Sequence, residues 1–359
     1  MAMSASSESR TPVIVLGGTG YVAGELLRLV AGHPRLALAG VLSDGSPGEP
    51  VAAAFPHLAS AYPDTVFKPQ ADIEAILRRE RAPAIVAAAP HGVSAKLIDQ
   101  LLGVAEAAGN APRVVDISAD FRYSSAAEYE AVYKHPHGAP QRLAQFTCAV
   151  PEHLAQSPTP HVAHPGCFAT SVLLAAVPLL AFDLVEPQLF VSAVTGSTGS
   201  GRKPGEGTHH PTRHSDLYSY NALAHRHAPE IAACAQAASG KAAQFAFVPH
   251  SGPFARGIHA TVQAVLKRPA TGAEVVGMLS EYYARSPFVS ASSRAPRIKE
   301  VAGSNYARLS AASDGRTVAV MSVLDNLNKG AAGGALQWLN RLLGFPEDTG
   351  LNAPAAGWT

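Results

Sequence analysis

The first third of the chain alternates short apolar runs with amphipathic segments. The apolar runs predict strands at 13–16, 36–42, 84–88 and 114–116. The segments between them carry apolar residues at helical spacing and predict helices at 23–31, 73–81 and 94–107. Strands that alternate with helices form a parallel sheet covered on both faces. We therefore predict an α/β fold for this part of the chain.

The second half of the chain has a different pattern. Alternating or apolar runs predict strands at 189–194, 244–248, 258–266 and 318–324, with a helix at 273–283. These runs indicate a larger mixed sheet. At 359 residues the chain exceeds the usual size of one hydrophobic core, so we expect two domains, with a last helix at 331–343 returning to the first. The predicted division is a first domain of residues 1–166 joined by 327–359, and a second of residues 167–326.

Composition excludes several classes of protein. The formal net charge is +1 and the charges are scattered, which does not favour a nucleic-acid partner or a membrane surface. The three cysteines, Cys148, Cys167 and Cys234, have no spacing typical of a metal site and fit a reducing compartment. The first eleven residues lack the apolar core of a signal peptide, and no run has the length of a membrane span. We expect a cytoplasmic protein without a metal.

A glycine-rich loop lies between the first predicted strand and the first predicted helix. Its spacing, Gly17-x-x-Gly20-x-x-Ala23, permits a tight turn and a close approach of the backbone to a pyrophosphate. A plain strand-to-helix turn also favours glycine, but this position favours a dinucleotide site in a Rossmann-type domain. The loop residues expected to contact the cofactor are Gly17, Thr19, Gly20, Tyr21 and Val22.

The end of the second strand should meet the adenosine ribose. Asp44 stands where an NAD site places a carboxylate, whereas Ser43 and Ser46 suit a 2′-phosphate. These residues leave NADP(H) and NAD both open. Pro90 lies in a third loop that should line the same crevice, and there we interpret His91 as a neighbour of the cofactor or as solvent-exposed.

One cysteine stands at the entry to a predicted helix. In His164-Pro165-Gly166-Cys167, a Pro-Gly turn leads into an apolar run, and a helix N-terminus favours a thiolate. The alternative is a buried cysteine that acts as a small hydrophobe. Downstream, the Gly/Ser-rich segment 195–204 contains Arg202 and Lys203. It is either a flexible linker or a loop that contacts an anion, and we favour the anion.

Eight motifs in order give the chain a family resemblance. They are GGTGYVAGEL, APHGVS, DISADFR, HPGCFAT, TGSTGSGRKP, HRHAPEI, FVPH with RGI, and DNLNKGAAGGALQWLN. From about residue 11 to 351 the chain resembles the N-acetyl-gamma-glutamyl-phosphate reductases of arginine biosynthesis, in the aspartate-semialdehyde dehydrogenase superfamily. Two departures stand out: residues 146–152 replace the usual Tyr-Gly-Leu-Pro-Glu, and Asp44 replaces a basic residue that many members carry.

The resemblance implies both fold and chemistry. The second domain should resemble that of glyceraldehyde-3-phosphate dehydrogenase and assemble the chain into a homodimer or homotetramer. A cysteine thiolate should displace phosphate from an acyl phosphate to form a thioester, which NADPH then reduces to an aldehyde. Cys167 takes this role, and Cys148 and Cys234 are interpreted as structural.

The resemblance also suggests roles for other residues. His225 is the first choice for the general acid and base and His227 the second. Both would lie on the same side of an extended segment, so the residues alone do not choose between them. Arg122 should bind a substrate carboxylate, and Glu230 is either a substrate contact or a helix charge cap. The remaining expected contacts are Arg202, Lys203 and Arg256 with phosphate or as surface charges, Asn326 with the nicotinamide carboxamide or as a cap, and Ser197 and Gly199 with the cofactor.

Two other functions remain open from the sequence. A lysine-pathway homologue reduces an aminoadipyl phosphate carried on a protein and shares these motifs, and one methylene separates the substrates. A non-catalytic dinucleotide-binding scaffold would keep the fold without needing Cys167, His225 and Arg122 together. We therefore favour the reductase.

Overall fold

The structure, a computed structural model, describes residues 10–357. Residues 1–9 lie outside the described residues, and they are most of the segment that was compared with a signal peptide. Residues 358–359, the end of the predicted segment 327–359, also lie outside them. The described chain folds around two β-sheets. This confirms the predicted α/β fold with a parallel and a mixed sheet.

The first sheet has six parallel strands in the order β2-β1-β3-β4-β6-β5. The strands are β1 Thr11–Leu16, β2 Leu36–Leu42, β3 Ala84–Ala87, β4 Arg113–Asp116, β5 Phe146–Cys148 and β6 His161–Ala163. The helices of this region are α1 Tyr21–Ala31, α2 Val51–Ala54, α3 Gln70–Arg79, α4 Ser94–Ala107 and α5 Ala126–Tyr133, with short 3₁₀ turns at Pro56–Leu58, Pro140–Gln145 and Pro151–His153. Strands β5 and β6 and helices α2 and α5 were not among the predicted elements.

Strand β1 shows why this sheet is covered on both faces. Its Val13 belongs to an apolar layer with Leu26 of α1, whereas Ile14 belongs to a layer with Ile73 of α3 on the opposite face. Successive side chains of a strand point to opposite faces, so a strand buried on both sides is apolar throughout. The order β2-β1-β3 leaves a crevice at the carboxyl ends of β1 and β3, where ligands of such sheets bind.

The second sheet has seven strands in the order β11-β12-β13-β10-β7-β9-β8, with parallel and antiparallel pairs. The strands are β7 Val185–Thr195, β8 Tyr218–Ser219, β9 Gln244–Ser251, β10 Ile258–Leu266, β11 Val289–Ala291, β12 Ala307–Ser313 and β13 Thr317–Leu324. The helices are α6 Cys167–Ala181, α7 His210–Arg213, α8 His227–Ser239 and α9 Gly272–Tyr282, with 3₁₀ turns at Ser197–Ser200, Glu206–Thr208 and Ile298–Glu300.

Helix α6 forms the centre of the second core. Residues 168–180 are all buried, and the helix packs against α8, β10 and β13. A helix that is apolar on every side is stable only inside a protein core. Cys167, its first residue, is thereby fixed at the edge of that core.

The chain then returns to the first sheet through α10, Gly333–Leu342, which packs against β4 and α1. Trp338 is fully buried there and donates its indole N–H to the Ala149 carbonyl at 2.8 Å. Helix α10 begins two residues later than the predicted helix 331–343, because Asn328–Ala332 forms a π-helical turn. In this turn the Gly330 N–H donates to the Asp325 carbonyl and the Ala332 N–H to the Leu327 carbonyl. The domain boundaries themselves stay a prediction.

Candidate active site

A cleft of about 800 Å³ lies at the carboxyl ends of the first sheet. Its walls include Gly17, Thr19, Gly20 and Pro90 of the predicted cofactor loops. Gly17 has a φ of +82°, and a Cβ there would come within 2.5 Å of the Ala88 carbonyl oxygen, so only glycine fits. Helix α1 begins at Tyr21 without a side-chain cap, which leaves its first N–H groups for an anion. These features fit the pyrophosphate of a dinucleotide.

The ribose end of the cleft contains a turn that begins after β2. Ser43, Asp44 and Ser46 line the cavity, and the Ser46 N–H donates to the Ser43 carbonyl. Arg202 and Lys203 of the Gly/Ser-rich loop line the same cavity. The sequence assigned them to the substrate phosphate, and that assignment stays a prediction. The structure places both side chains on the wall of the dinucleotide cleft, because the loop crosses to it from the second domain.

Cys167 starts α6, as the sequence predicted, with Gly166 as its N-cap residue. The thiol is half-buried, and burial raises its pKa above the ordinary value, although the positive charge of Arg122 acts in the opposite direction. Desolvation of the charged form therefore opposes the effect of the helix N-terminus, and a base such as the expected histidine has to take the thiol proton.

A buried ion pair lies directly beside the cysteine. Glu230 accepts hydrogen bonds from the Gly166 N–H at 2.7 Å and from Arg122 Nη1 at 3.0 Å, while Arg122 Nη2 donates to the Ile117 carbonyl at 2.7 Å. Both carboxylate oxygens of Glu230 thus bind protein donors, which fits a positioning residue better than a substrate contact. Within residues 10–357 the buried Nε N–H of Arg122 has no hydrogen-bond partner, so this donor is unused.

The two histidines of the HRH motif lie in a turn rather than in the expected extended segment. The His227 N–H, at the start of α8, donates to His225 Nδ1 at 3.2 Å. The His227 ring lies against the N-cap of α6, since a Cβ on Gly166 would be 2.5 Å from its Nε2. The His225 ring instead makes edge contacts with Phe168 and Phe247.

Both imidazoles are neutral near pH 7. Burial, followed by the charge of Arg226, lowers the pKa of His225 to about 4. Burial and then the charge of Arg122 hold the pKa of His227 well below its ordinary value. Nδ1 of His227 has no hydrogen-bond partner among residues 10–357. A neutral imidazole has a lone pair that can accept a proton, and burial makes that of His227 a weaker base than usual. Its position next to Gly166 nevertheless makes His227 a candidate to take the Cys167 proton.

The sequence analysis missed the segment that covers Cys167. A Cβ on Gly330, in the π-helical turn, would lie 2.8 Å from the Cys167 Cβ, so the turn packs directly on the cysteine. The neighbouring Lys329 is fully buried and binds Glu152 and Gln337, each at 2.6 Å. The run of small residues in Asn-Lys-Gly-Ala-Ala-Gly-Gly was the available signal, because such runs permit close backbone contact.

Tyr220 was also missed. Its ring packs 5.6 Å from that of His225, and burial, with a contribution from Cys167, raises the pKa of its hydroxyl. Nothing in the local sequence pattern distinguishes this tyrosine from a surface residue. It comes to the site only because β8 pairs with β9.

Two predicted ligand contacts are engaged elsewhere. Arg256 donates to both oxygens of Asp325, at 3.0 and 3.1 Å, and to Glu25 at 2.6 Å. We therefore correct its assignment to phosphate, because its guanidinium is already shared by two carboxylates. Asn326 is buried, accepts from the Gly257 N–H at 2.7 Å and donates to the Thr198 hydroxyl at 3.0 Å, so it fixes the 3₁₀ turn that contains Ser197 and Gly199.

The two other cysteines of the chain lie close together. Cys148 and Cys234 are free thiols whose sulfur atoms lie 3.6 Å apart. Within residues 10–357, no cluster of three or more histidine, cysteine, aspartate or glutamate side chains is arranged to hold a metal ion. No helix in that range is both long and apolar enough to cross a membrane.

Comparison with known proteins agrees with this architecture. Residues 12–155 match the family "Semialdehyde dehydrogenase, NAD binding domain", and residues 167–326 match "Semialdehyde dehydrogenase, dimerisation domain". Aspartate semialdehyde dehydrogenase II of Vibrio cholerae has the same fold, with a TM-score of 0.67 over 94% of this chain and 99% of that chain at 14% identity. The two family matches define the class of protein, one that combines the NAD-binding domain and the dimerisation domain of the semialdehyde dehydrogenase families.

Relatives with higher sequence identity show which enzyme family the chain belongs to. The N-acetyl-gamma-glutamyl-phosphate reductase of Nitrosococcus oceani is 38% identical over 94% of this chain and 96% of its own length. That of Methanopyrus kandleri is 37% identical over 95% of this chain and 97% of its own length. The chain belongs to the N-acetyl-gamma-glutamyl-phosphate reductase family, which confirms the resemblance found in the motifs.

Proposed function

We propose that this protein reduces N-acetyl-gamma-glutamyl phosphate to N-acetylglutamate 5-semialdehyde and phosphate, with NADPH as reductant. This is the third step of arginine biosynthesis from glutamate. The observation that carries the proposal is Cys167 at the N-terminus of α6, with the Glu230–Arg122 ion pair and the His227 ring against Gly166. The names of the full-length relatives supply the substrate.

The first half-reaction forms a bond to Cys167. His227 takes the thiol proton, the sulfur attacks the acyl carbon, and the carbon–oxygen bond to phosphate breaks to leave a thioester and inorganic phosphate. The free Nε N–H of Arg122 is available for the substrate carboxylate. The N–H groups at the start of α6, one of which is that of Cys167 itself, stabilise the negative charge on the carbonyl oxygen.

The second half-reaction releases the product. The dinucleotide, when bound, supplies a hydride to the thioester carbon. The carbon–sulfur bond then breaks to give the semialdehyde, and the imidazole returns its proton to Cys167. Glu230 holds the N-terminus of α6 and Arg122 in position during both half-reactions, because it binds both.

The choice between the two histidines is open to a direct test. The sequence assigned His225 first, whereas the contact of His227 with Gly166 supports His227. His227→Gln should lower kcat by about 10²- to 10⁴-fold, the usual contribution of general acid–base catalysis. His225→Gln is the matched control and should have the smaller effect if His225 only orients His227 through their 3.2 Å hydrogen bond. The reverse order of effects would return the role to His225.

Three further assignments belong to this proposal. Ser43 and Ser46 at the ribose end support NADP(H) over NAD. A homodimer or homotetramer is supported by exposed apolar side chains on the uncovered face of the second sheet, among them Phe190 and Val265 at 51% and 40% exposure. We propose a cytoplasmic location, which the three free thiols support because a reducing compartment keeps cysteines unpaired. Light scattering coupled to gel filtration gives the assembly state directly.

One assay tests the reaction. The purified protein should reduce NADP⁺ when given N-acetylglutamate 5-semialdehyde and inorganic phosphate, and Cys167→Ser should abolish the activity. Cys234→Ser, which changes a thiol outside the proposed chemistry, is the matched control. A protein that binds dinucleotides but is inert would be a scaffold. Activity restricted to a carrier-bound aminoadipyl substrate would indicate the lysine-pathway reaction.

A further inference from the structure

Arg202 bridges the two halves of the molecule. It follows Gly201, whose φ of +87° turns the chain, and its Nη1 donates to the Thr19 carbonyl at 3.2 Å in the glycine-rich loop. Its guanidinium carbon lies 5.4 Å from the centre of the Phe55 ring, within the range of a cation–π contact. Two contacts thus hold a second-domain arginine over the cofactor cleft.

The ribose end of that cleft lacks a cation of its own. Residues 42–46 contain no arginine or lysine, and Asp44 and Glu49 bring negative charge to the cavity wall. A 2′-phosphate carries about two negative charges near neutral pH, so binding it beside two carboxylates requires positive charge from elsewhere. Arg202 and Lys203 are the two cationic side chains that line this cavity.

The donors needed for a phosphate are uncommitted. Arg202 uses one of its five N–H groups, and neither Arg202 nor Lys203 forms an ion pair within residues 10–357. The hydroxyl groups of Ser43 and Ser46, which line the same cavity, make no hydrogen bond in that range. A planar guanidinium and hydroxyl donors that line one cavity are groups suited to bind phosphate.

We propose that Arg202 and Lys203 bind the 2′-phosphate of NADP(H), with the Ser43 and Ser46 hydroxyls as additional ligands. The second domain, rather than the end of β2, then supplies the selection of the phosphorylated dinucleotide. This inference rests on the proposed function, because it takes a nicotinamide dinucleotide as the ligand of the cleft. Selectivity for NADPH over NADH then depends on how the loop 195–204 packs against the first domain.

Binding measured by titration calorimetry, without turnover, tests the inference. Dissociation constants for NADPH and NADH are compared between the wild type, Arg202→Ala and Lys203→Ala, with the exposed Arg268→Ala as the matched loss of one positive charge outside the cleft. Loss of a charged hydrogen bond should weaken NADPH binding by about ten- to a hundredfold in Arg202→Ala. Binding of NADH should stay within about twofold, and Arg268→Ala should match the wild type.

A rescue variant guards against a purely structural effect. Adding Asp44→Arg to Arg202→Ala restores a cation at the ribose end and should recover NADPH binding without changing NADH binding. In the wild type, 2′,5′-ADP should compete with NADPH far better than 5′-ADP does. This competition tests the site even if the Arg202 variants fold poorly.

The outcomes are separable. Equal loss of NADPH and NADH binding in Arg202→Ala would mean that Arg202 contacts the shared pyrophosphate, and would overturn the inference while leaving the proposed function intact. Unchanged NADPH binding in both variants would overturn it as well. A wild type that binds neither dinucleotide would remove the proposed function, and the inference with it.

Discussion

Replacing Glu230 by glutamine separates two consequences of the buried ion pair. Glu230 is fully buried and accepts hydrogen bonds from the Gly166 N–H and from Arg122. Glutamine has the same shape but one acceptor oxygen and no charge. One of the two donors therefore loses its acceptor, and the guanidinium of Arg122 stays buried without a counter-ion.

We expect the substitution to lower both the stability of the protein and the pKa of Cys167. Breaking a buried ion pair by removing one partner costs about 3–5 kcal/mol, and we expect about 3 because glutamine keeps one of the two hydrogen bonds. The Glu230 charge raises the pKa of Cys167 whereas that of Arg122 lowers it. Removing the carboxylate charge should therefore make the protein less stable and the Cys167 thiol more acidic.

Two measurements on Glu230→Gln detect the change in stability and the change in the pKa of Cys167. Urea unfolding gives the change in the free energy of unfolding, and the rate of alkylation of Cys167 by iodoacetamide against pH gives the direction of the pKa change. Glu106→Gln is the matched control, because Glu106 also binds an arginine, Arg142, but its side chain is 53% exposed. The control should cost less than about 1 kcal/mol. The reasoning fails if both variants cost the same, or if the alkylation profile of Glu230→Gln moves to higher pH.

Three further results are expected. Gly330→Ala puts a Cβ 2.8 Å from the Cys167 Cβ and should lower stability by about 1–3 kcal/mol and kcat by about 10²-fold, as measured by urea unfolding and steady-state kinetics. Lys329→Met leaves the buried Glu152 carboxylate, whose pKa the lysine helps to hold at about 2, without its cation, and should cost about 3–5 kcal/mol by urea unfolding. Burial also lowers the pKa of several histidines to about 3 or 4, namely His153, His161, His164 and His225. The unfolded chain takes up these protons below about pH 6.5, so stability should fall as pH drops from 6.5 towards 4, by about 1.4 kcal/mol per pH unit for each histidine, and stability that stays constant across this window would contradict the assignment.

Local patterns were informative where the physical cause is local. The order of strands and helices in the first sheet follows from apolar runs and helical spacing, and the glycine-rich loop was placed correctly because Gly17 alone tolerates its backbone conformation and its distance from Ala88. The helix entry at Cys167 likewise followed from a Pro-Gly turn before an apolar run. Strands β5, β6, β8, β11 and β12 were missed. The first four have two or three residues, which carry no detectable period, and β12 contains only one large apolar residue, Leu309.

The arrangement of the site depends on contacts between residues that are far apart in the chain, which local patterns do not reveal. No local feature of Arg256 shows that Asp325 and Glu25 will bind it, and none shows that Arg202 will reach Thr19. These pairs are separated by 69, 231 and 183 positions in the chain. A charge pattern in sequence therefore identified the cations but not their partners.

The sequence by itself determined the class of fold, the dinucleotide loop and the cysteine at a helix entry, because turn chemistry and hydrophobic period act over a few neighbouring residues. Only the tertiary structure decided that the His227 ring lies against Gly166, that both carboxylate oxygens of Glu230 accept hydrogen bonds from protein donors, and that burial raises the pKa of the Cys167 thiol. Protonation and hydrogen-bond partners depend on burial and on distances across the fold. Folding, not local sequence, sets both quantities.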